Sequence, residues 1–260
     1  MLRLKKKRFI KKLTFLFLIP LFIFVSLIAL FYVPYFRIKK ISIEGNSSID
    51  SAKIMADVSN YLTGKNFKIF PRDNFFIMPK KEFIDSLLKE FPRLKTVSLI
   101  KNFPNSISLK VTERNNEALF CFKNKDEGCA FIDQDGFVFD KAPYFSAGVY
   151  LTFLEEATTT WKLDFQVISE EQFKKIIDFK NLLTEENPPI GGKILQIIIK
   201  KEGIYELQTN EGWSILLNEK NDSQLTYQNL KTTLDQIKDK RKNLDYIDLR
   251  FGNKVFYKFK

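Results

Sequence analysis

The chain has 260 residues and carries 42 Lys and Arg against 31 Asp and Glu, with no histidine. Residues 1–40 hold ten of the basic residues and no acidic one, so the remainder is nearly neutral. A nucleic-acid-binding domain concentrates positive charge on its folded part, which argues against nucleic acid as a partner.

The composition also argues against an enzyme. The absence of histidine removes the commonest general base and the commonest metal ligand, and no glycine-rich phosphate loop is present. Adjacent acids at Glu155-Glu156 and Asp126-Glu127 are more typical of solvated turns than of glycosidase carboxylate pairs. We therefore expect no catalytic residue, no cofactor and no metal.

An uncharged run of 21 residues, Leu13 to Val33, follows a basic N-terminal segment. At about 1.5 Å per residue, a helix of this length spans the hydrocarbon core of a bilayer. Seven of the first twelve residues are basic, against three between the run and residue 40. The positive-inside rule predicts a cytoplasmic tail (1–12) that contacts anionic lipids, a transmembrane helix (13–34) and an extracytoplasmic remainder. A cleaved signal peptide is the alternative, and it would need a shorter apolar region.

Two cysteines, Cys121 and Cys129, flank a polar stretch between two strand-like runs. The predicted topology places both outside the cytoplasm, where disulfides persist. A bridge across a hairpin would contribute about 2–3 kcal/mol in the chain-entropy model. We expect a Cys121–Cys129 disulfide; two buried thiols under a tight turn are the alternative.

Residues 36–113 form a first module in which helical and strand periodicities alternate. The predicted elements are a strand from Ile38 to Gly45-Asn46, a helix from Asp50 to Leu62, an extended piece at Phe67–Phe70, a helix from Lys80 to Glu90, and strands at Lys95–Lys101 and Ser106–Val111. The turn-forming residues 102–105 join the last two strands. The predicted order is strand, helix, helix, strand, strand.

Residues 114–260 form a second module that is mostly β by pattern. The predicted elements are a hairpin at Ala130–Asp140 around Asp133–Gly136, a helix opened by the capping box Ser169–Gln172, strands at Ile194–Lys200, Ile204–Thr209 and Trp213–Leu217, a helix capped by Asp222 or Ser223, and one closing strand from about Tyr246 to Phe259. The first helix is expected to bury Phe173, Ile176, Ile177 and Leu183, and a bend or bulge is expected at Gly252-Asn253.

The element order and a set of short motifs resemble the FtsQ/DivIB cell-division family. The motifs are Ile43-Glu44-Gly45-Asn46, Gly64-Lys65-Asn66, Phe91-Pro92, Phe103-Pro104-Asn105, Thr112-Glu113-Arg114, Ile132-Asp133-Gln134-Asp135-Gly136 and Asp248-Leu249-Arg250. The resemblance implies an α+β protein with a single transmembrane helix, a POTRA-like β-α-α-β-β domain and a mainly antiparallel β domain with flanking helices.

The resemblance also implies a non-catalytic scaffold at the division septum. Its partners would be the small bitopic coiled-coil proteins of the FtsB/DivIC and FtsL types, held through strand addition at an open C-terminal edge. The positions that match the family's partner-contacting region, together with their neighbours on the closing strand, are Arg250, Phe251, Asn253, Lys254, Val255 and Tyr257.

Two other functions fit parts of the sequence. A wall-modifying or ligand-binding ectodomain with a POTRA-like spacer would need a pocket with paired acids. A polypeptide-transport POTRA protein would need a repeat of alternating strands of about ten residues, which the sequence does not contain.

Overall fold

The computed structural model describes residues 16–26, 28–29, 31–66, 70–121, 128–146, 148–155, 163–185, 190 and 192–260. The chain divides into two compact units, residues 1–113 and 114–260. This division falls where the sequence predicts the boundary between the two modules.

Residues 16–26 and 28–29 are helical, and their large apolar side chains between 16 and 25 are more than half exposed. Among the helices within the described ranges, none is both long and apolar enough to cross a membrane. The predicted tail (1–12) and parts of the predicted span (13–15, 27 and 30) lie outside the described residues, so the transmembrane helix stays a prediction.

The first unit has the predicted strand-helix-helix-strand-strand order. Its elements are β1 (Lys40–Glu44), α1 (Ser51–Leu62), β2 (Lys65–Asn66), β3 (Phe70–Pro71), α2 (Lys80–Glu90), β4 (Leu94–Asn102) and β5 (Ser106–Glu113). The sheet order is β1-β5-β4, with β1 parallel to β5 and β4 antiparallel to it. The short β2–β3 pair was not predicted, and residues 67–69 of the predicted extended piece lie outside the described residues.

Amphipathic periodicity explains how the two helices of this unit pack. The side chain of Asp50 accepts the N–H of Ala52 and caps α1, which buries one face through Ile54 and Val58. α2 buries Phe83 and Leu87. These side chains form one core with Ile107, Leu109 and other apolar residues of the three-stranded sheet.

A carboxylate joins the end of β5 to the loop between β1 and α1. Glu113 accepts the backbone N–H groups of Ser47, Ser48 and Ile49 at 2.7–3.0 Å. Burial raises the pKa of Glu113, but the N–H donors outweigh that effect and hold the pKa below its ordinary value of 4.5. Gly45 in the same loop has φ of 91°, and a Cβ there would lie 2.2 Å from the Val111 carbonyl oxygen.

The second unit is built on a ten-stranded mixed sheet with the order β10-β8-β7-β6-β9-β11-β12-β13-β14-β15. Its elements are β6 (Ala118–Cys121), β7 (Cys129–Ile132), β8 (Phe137–Ala142), β9 (Thr152–Glu155), β10 (Phe165–Gln166), α3 (Glu170–Glu185), β11 (Ile194–Lys200), β12 (Ile204–Thr209), β13 (Ser214–Asn218), α4 (Ser223–Gln236), β14 (Leu244–Phe251) and β15 (Lys254–Phe259). The pairs β6–β9, β9–β11 and β13–β14 are parallel, and the others are antiparallel. Helices and sheets together confirm the predicted α+β class.

The larger core of this unit includes buried residues of α3, α4 and the sheet. Ser169 and Gln172 exchange side chain-to-backbone hydrogen bonds as the predicted capping box. α3 buries Phe179 as well as the predicted Phe173, Ile176 and Leu183, while Ile177 is only partly buried.

The prediction of one closing strand is wrong. Two antiparallel strands, β14 and β15, replace it, joined by the two-residue loop Gly252-Asn253 between Phe251 and Lys254. Gly252 has φ of 65°, a conformation that glycine adopts at little cost. The alternating apolar residues on both sides of the loop made the hairpin look like one bent strand.

The predicted hairpin at Asp133 depends on a buried ion pair. Asp133 is 1% exposed, lies 2.5 Å from Arg114 Nη1 and accepts the N–H groups of Asp135 and Phe137. The Arg114 guanidinium also lies 4.0 Å from the centre of the Phe137 ring. The Asp133 carboxylate therefore accepts backbone N–H groups of the turn and pairs with Arg114, the first residue of the second unit.

Cys121 and Cys129 are direct partners across β6 and β7 and are joined by a disulfide in the structure. Both pack against a second apolar cluster that includes Leu119, Phe131 and Phe139. The bridge therefore closes the hairpin whose tip, residues 122–127, lies outside the described residues.

We expect Glu113→Gln to lower the free energy of unfolding of the first unit by about 1 kcal/mol at pH 7, because a charged acceptor of backbone N–H groups is lost at a partly hydrated site. The folded pKa of Glu113 is depressed, so its contribution is complete above the ordinary value of 4.5 and is lost as the pH falls through the folded pKa. Hydrogen exchange at Ser47, Ser48 and Ile49 should be faster in the variant at pH 7, and the difference should shrink as the pH falls through the folded pKa of Glu113. The exposed Glu44→Gln is the control, and equal exchange in wild type and variant at pH 7 would contradict the assignment.

We expect protein recovered from the cell envelope to carry the Cys121–Cys129 bridge. Mass spectrometry of a non-reduced digest should give the linked peptides, and two freely alkylated thiols would refute the expectation. Cys129→Ala should lower the free energy of unfolding by about 2–3 kcal/mol or less. The double variant Cys121→Ala with Cys129→Ala controls for the unpaired thiol.

Candidate functional site

The candidate site is the C-terminal hairpin, defined as β14, the loop Gly252-Asn253 and β15. β15 is the last strand of the large sheet, and within the described part of the chain it pairs only with β14. A strand in this position presents one row of backbone groups that its own sheet does not pair.

The structure distributes the predicted partner-binding residues over the whole hairpin. Arg250 and Phe251 lie on β14, which has a neighbour on each side, and Asn253 lies in the loop. The edge strand itself carries Lys254, Val255 and Tyr257. Of the predicted set, only these three therefore lie on the strand beside which a further strand could be added.

The backbone register identifies which groups point away from β14. Lys260 N–H donates to the Asn243 carbonyl at 2.8 Å, and residues 258, 257 and 256 pair in unbroken sequence with 246, 247 and 248. Both register shifts of this pair place the extra residue on β14, so β15 is regular. By strand alternation we infer that the N–H and C=O groups of Val255, Tyr257 and Phe259 face outward.

Side chains on the two faces of β15 have different environments. Val255 and Phe259 pack against the large core. The opposite face carries Lys254, Phe256 and Lys258, and Phe256 is 53% exposed. The sequence-based set missed Phe256, although its place in the alternation between two lysines marks it as a solvent-facing aromatic.

The loop end of the hairpin carries a small aromatic and basic patch. The rings of Phe251 and Phe256 meet edge to face at 5.5 Å, and Phe251 is 55% exposed. The Arg250 guanidinium lies 5.3 Å from the centre of the Phe251 ring. Exposed aromatic and Arg side chains are the residue types that dominate protein–protein binding energies.

A buried carboxylate orients Arg250. Asp248 is 6% exposed and receives two parallel hydrogen bonds from the guanidinium, at 2.8 and 2.6 Å, and a third from the Arg250 backbone N–H. The hydrogen bond to Asp248 raises the pKa of Arg250. The fork geometry fixes the Arg250 side chain before any partner binds.

Helix α4 and the residue just before its cap also hold the hairpin, through two side-chain amides. Asn221 Nδ2 donates to the Leu249 carbonyl at 2.5 Å, and Asn229 Nδ2 donates to the Gly252 carbonyl at 3.0 Å. Lys258 pairs with Asp245 at 2.9 Å, and this hydrogen bond raises the pKa of Lys258. These contacts therefore hold the hairpin in place before a partner binds. Its lysines oppose pairing between the β15 strands of two copies of the chain.

No group of acidic or cysteine side chains within the described ranges could hold a metal ion. A cavity of about 30 Å³ lies beside α3, lined by Ile176, Phe179, Tyr205 and other residues, and it has room for one or two water molecules. Burial raises the pKa of Tyr205 to about 12. The acids Asp126, Glu127 and Glu156 considered as carboxylate pairs lie outside the described residues.

Comparisons with known proteins give a domain match and a set of relatives that agree with each other. Residues 36–114 match the FtsQ-type POTRA domain. Proteins named cell division protein DivIB from Clostridium botulinum strains Hall and Loch Maree are each 33% identical over 137 residues, which is 53% of this chain and 48% of each relative. The DivIB of Clostridium acetobutylicum is 33% identical over 104 residues, 40% of this chain and 36% of that protein. The matches thus span about half or less of the length of these curated relatives.

We expect Arg250→Ala to lower the free energy of unfolding of the second unit by about 1–3 kcal/mol, because it leaves the buried Asp248 carboxylate without its partner. Changing Asp248→Ala as well should recover part of that loss. Urea unfolding followed by tryptophan fluorescence reports on this unit, since both tryptophans, Trp161 and Trp213, belong to it. If the double variant loses as much free energy of unfolding as the two single variants together, Arg250 and Asp248 are not coupled and the assignment is contradicted.

Proposed function

The chain belongs to the FtsQ/DivIB family of cell-division proteins, and from that premise we propose that it is a non-catalytic scaffold of the bacterial divisome. In this proposal it is a single-pass protein of the cell membrane at the septum, with residues 1–12 in the cytoplasm and both units outside. The apolar run Leu13–Val33 and the basic residues before it support this topology.

We propose that the second unit binds small bitopic coiled-coil division proteins of the FtsB/DivIC and FtsL types. The observation that carries this proposal is the open edge of β15, where a partner segment can add an eleventh strand. The outward backbone groups of Val255, Tyr257 and Phe259 would supply the hydrogen bonds. Such bonds give affinity to any extended segment, and specificity must come from side chains.

The loop end of the hairpin supplies the side chains for that specificity. Phe251 and Phe256 offer exposed ring surface, Arg250 is held by Asp248, and Lys254 adds a further positive charge. This combination favours a partner strand that presents an apolar residue opposite the rings and an acidic residue near Arg250. The contact would support septal wall synthesis by holding the partners in place, with no chemical step on this chain.

Replacement of Tyr257 tests strand addition most directly. Tyr257→Pro removes an outward N–H and introduces the proline ring at the edge, while its inward neighbours keep their bonds to β14. We expect the full-length variant to lose capture of the coiled-coil partners from its native membrane. Tyr257→Ala is the matched control: it removes the side chain but keeps the N–H, and it should retain most of the capture.

Two further variants separate the backbone contribution from the side-chain contribution. Val255→Pro should behave like Tyr257→Pro, and Phe251→Ala should weaken capture by about 1–3 kcal/mol. The fluorescence of the two tryptophans must show that each variant is folded. A folded Tyr257→Pro protein that captures its partners at wild-type strength would place the binding surface elsewhere.

A further inference from the structure

We propose that the first unit carries a surface that contacts the lipid bilayer. This aromatic surface consists of Tyr35, Phe36, Phe75, Phe76 and Phe103. Tyr35, Phe76 and Phe103 are 59%, 53% and 65% exposed. The inference rests on the proposed membrane topology and adds a second membrane contact to it.

The five rings form one connected cluster although they come from three separate segments. Phe36 lies 5.2 Å from Tyr35, 5.1 Å from Phe76 and 6.2 Å from Phe103, measured between ring centroids. Phe75 meets Phe76 at 5.5 Å and Phe103 at 5.8 Å. Three of these rings are exposed and are linked through the partly exposed Phe36 and Phe75. Such a contiguous aromatic group is unusual on a soluble surface and marks a place where apolar contact is made.

The cluster is fixed to the end of the apolar run and to the residues that follow it. Asn74 is fully buried; its amide donates to the Phe31 carbonyl at 2.9 Å, and its side-chain oxygen accepts the Phe76 N–H at 2.9 Å. The Phe75 N–H donates to the Phe36 carbonyl at 2.8 Å, and Arg37 pairs with Asp73 at 2.6 Å. These bonds hold residues 31–37 against the loop that presents Phe75 and Phe76.

A second anchor holds the same loop to the sheet of the first unit. Lys101 Nζ donates to the carbonyls of Phe75 and Met78 at 2.8 and 3.2 Å. Burial lowers the pKa of Lys101, and Lys80 adds to the effect. The backbone that carries Phe75 and Phe76 is therefore held in place independently of the contacts between the rings.

The position of the rings along the chain identifies the bilayer as the partner of the aromatic surface. The proposed span ends at residue 34, and Tyr35 and Phe36 follow it directly, so these two rings must lie at the membrane–water boundary. The Asn74 and Phe36 hydrogen bonds bring Phe75 and Phe76 to the same level. Aromatic rings are the side chains that favour this boundary, where their apolar faces leave water.

The charge near the cluster fits the lipid headgroup region. Lys39 and Lys40 are exposed and follow Tyr35 and Phe36 along the chain, Arg37 before them is paired with Asp73, and residues 1–40 contain no acidic residue. Basic side chains at this depth are attracted by anionic headgroups, while the rings reach toward the acyl boundary. A contact of this kind would fix the tilt of the first unit against the membrane.

Site-specific photocrosslinking of the full-length chain in nanodiscs of phosphatidylglycerol and phosphatidylethanolamine tests the proposal. Phe76 or Phe103 is replaced by p-benzoylphenylalanine, which keeps an aromatic side chain at the position. Lys89, exposed in the last turn of α2, is the control position. We expect lipid adducts at positions 76 and 103 in severalfold excess over position 89, detected by mass spectrometry after irradiation.

Protease added to intact spheroplasts that express the full-length chain tests the proposed topology separately, because a sealed membrane exposes only one side to the protease. A single span with both units accessible to protease, but without lipid adducts at 76 and 103, would overturn the aromatic surface and leave the topology standing. Adducts to a second copy of the chain in place of lipid would assign the surface to self-association and also overturn it. Protection of both units, or failure to span, would overturn the topology and the surface together.

Discussion

The parallel pairing of β13 with β14 is the contact on which the large sheet and its candidate site depend. The chain reaches β14 through α4, because parallel neighbours require a crossover connection. Ile215 and Ile247, both fully buried, face each other in this pair. Because β14 is internal, the tight loop at Gly252 makes β15 the edge strand. One row of β15 backbone groups therefore has no partner strand among the described residues.

Buried or partly buried polar side chains fix the loops that the apolar cores leave undetermined. Asn74, Glu113 and Asp133 each accept at least two backbone N–H groups from a loop or turn. Backbone donors near a protein interior need partners, and a short polar side chain can supply them where no strand does. Two of these residues, Glu113 and Asp133, belong to the motifs by which the family is recognised.

The two proposed contacts use different physics on different units. Strand addition at β15 is directional, because each hydrogen bond requires a partner group at a set position. The aromatic surface of the first unit would gain its energy from apolar area and from nearby positive charge, which require no register. In the proposed scaffold, one contact would select the partner and the other would orient the molecule that holds it.

Elements whose signals are local could be predicted from the sequence. Helix α2 and strands β11 and β12 have the predicted bounds because amphipathic periodicity and Gly-containing breaks act within a few residues. The same local signals favoured a pairing of Cys121 with Cys129 across a hairpin and predicted extended structure for the residues that form β14 and β15. Three features could be seen only in the folded chain: the closing segment is two strands, β15 is the edge, and the four-residue β9 lies between β6 and β11. Strand order depends on pairing between distant segments, and short strands such as β9 carry too little periodicity to reveal it.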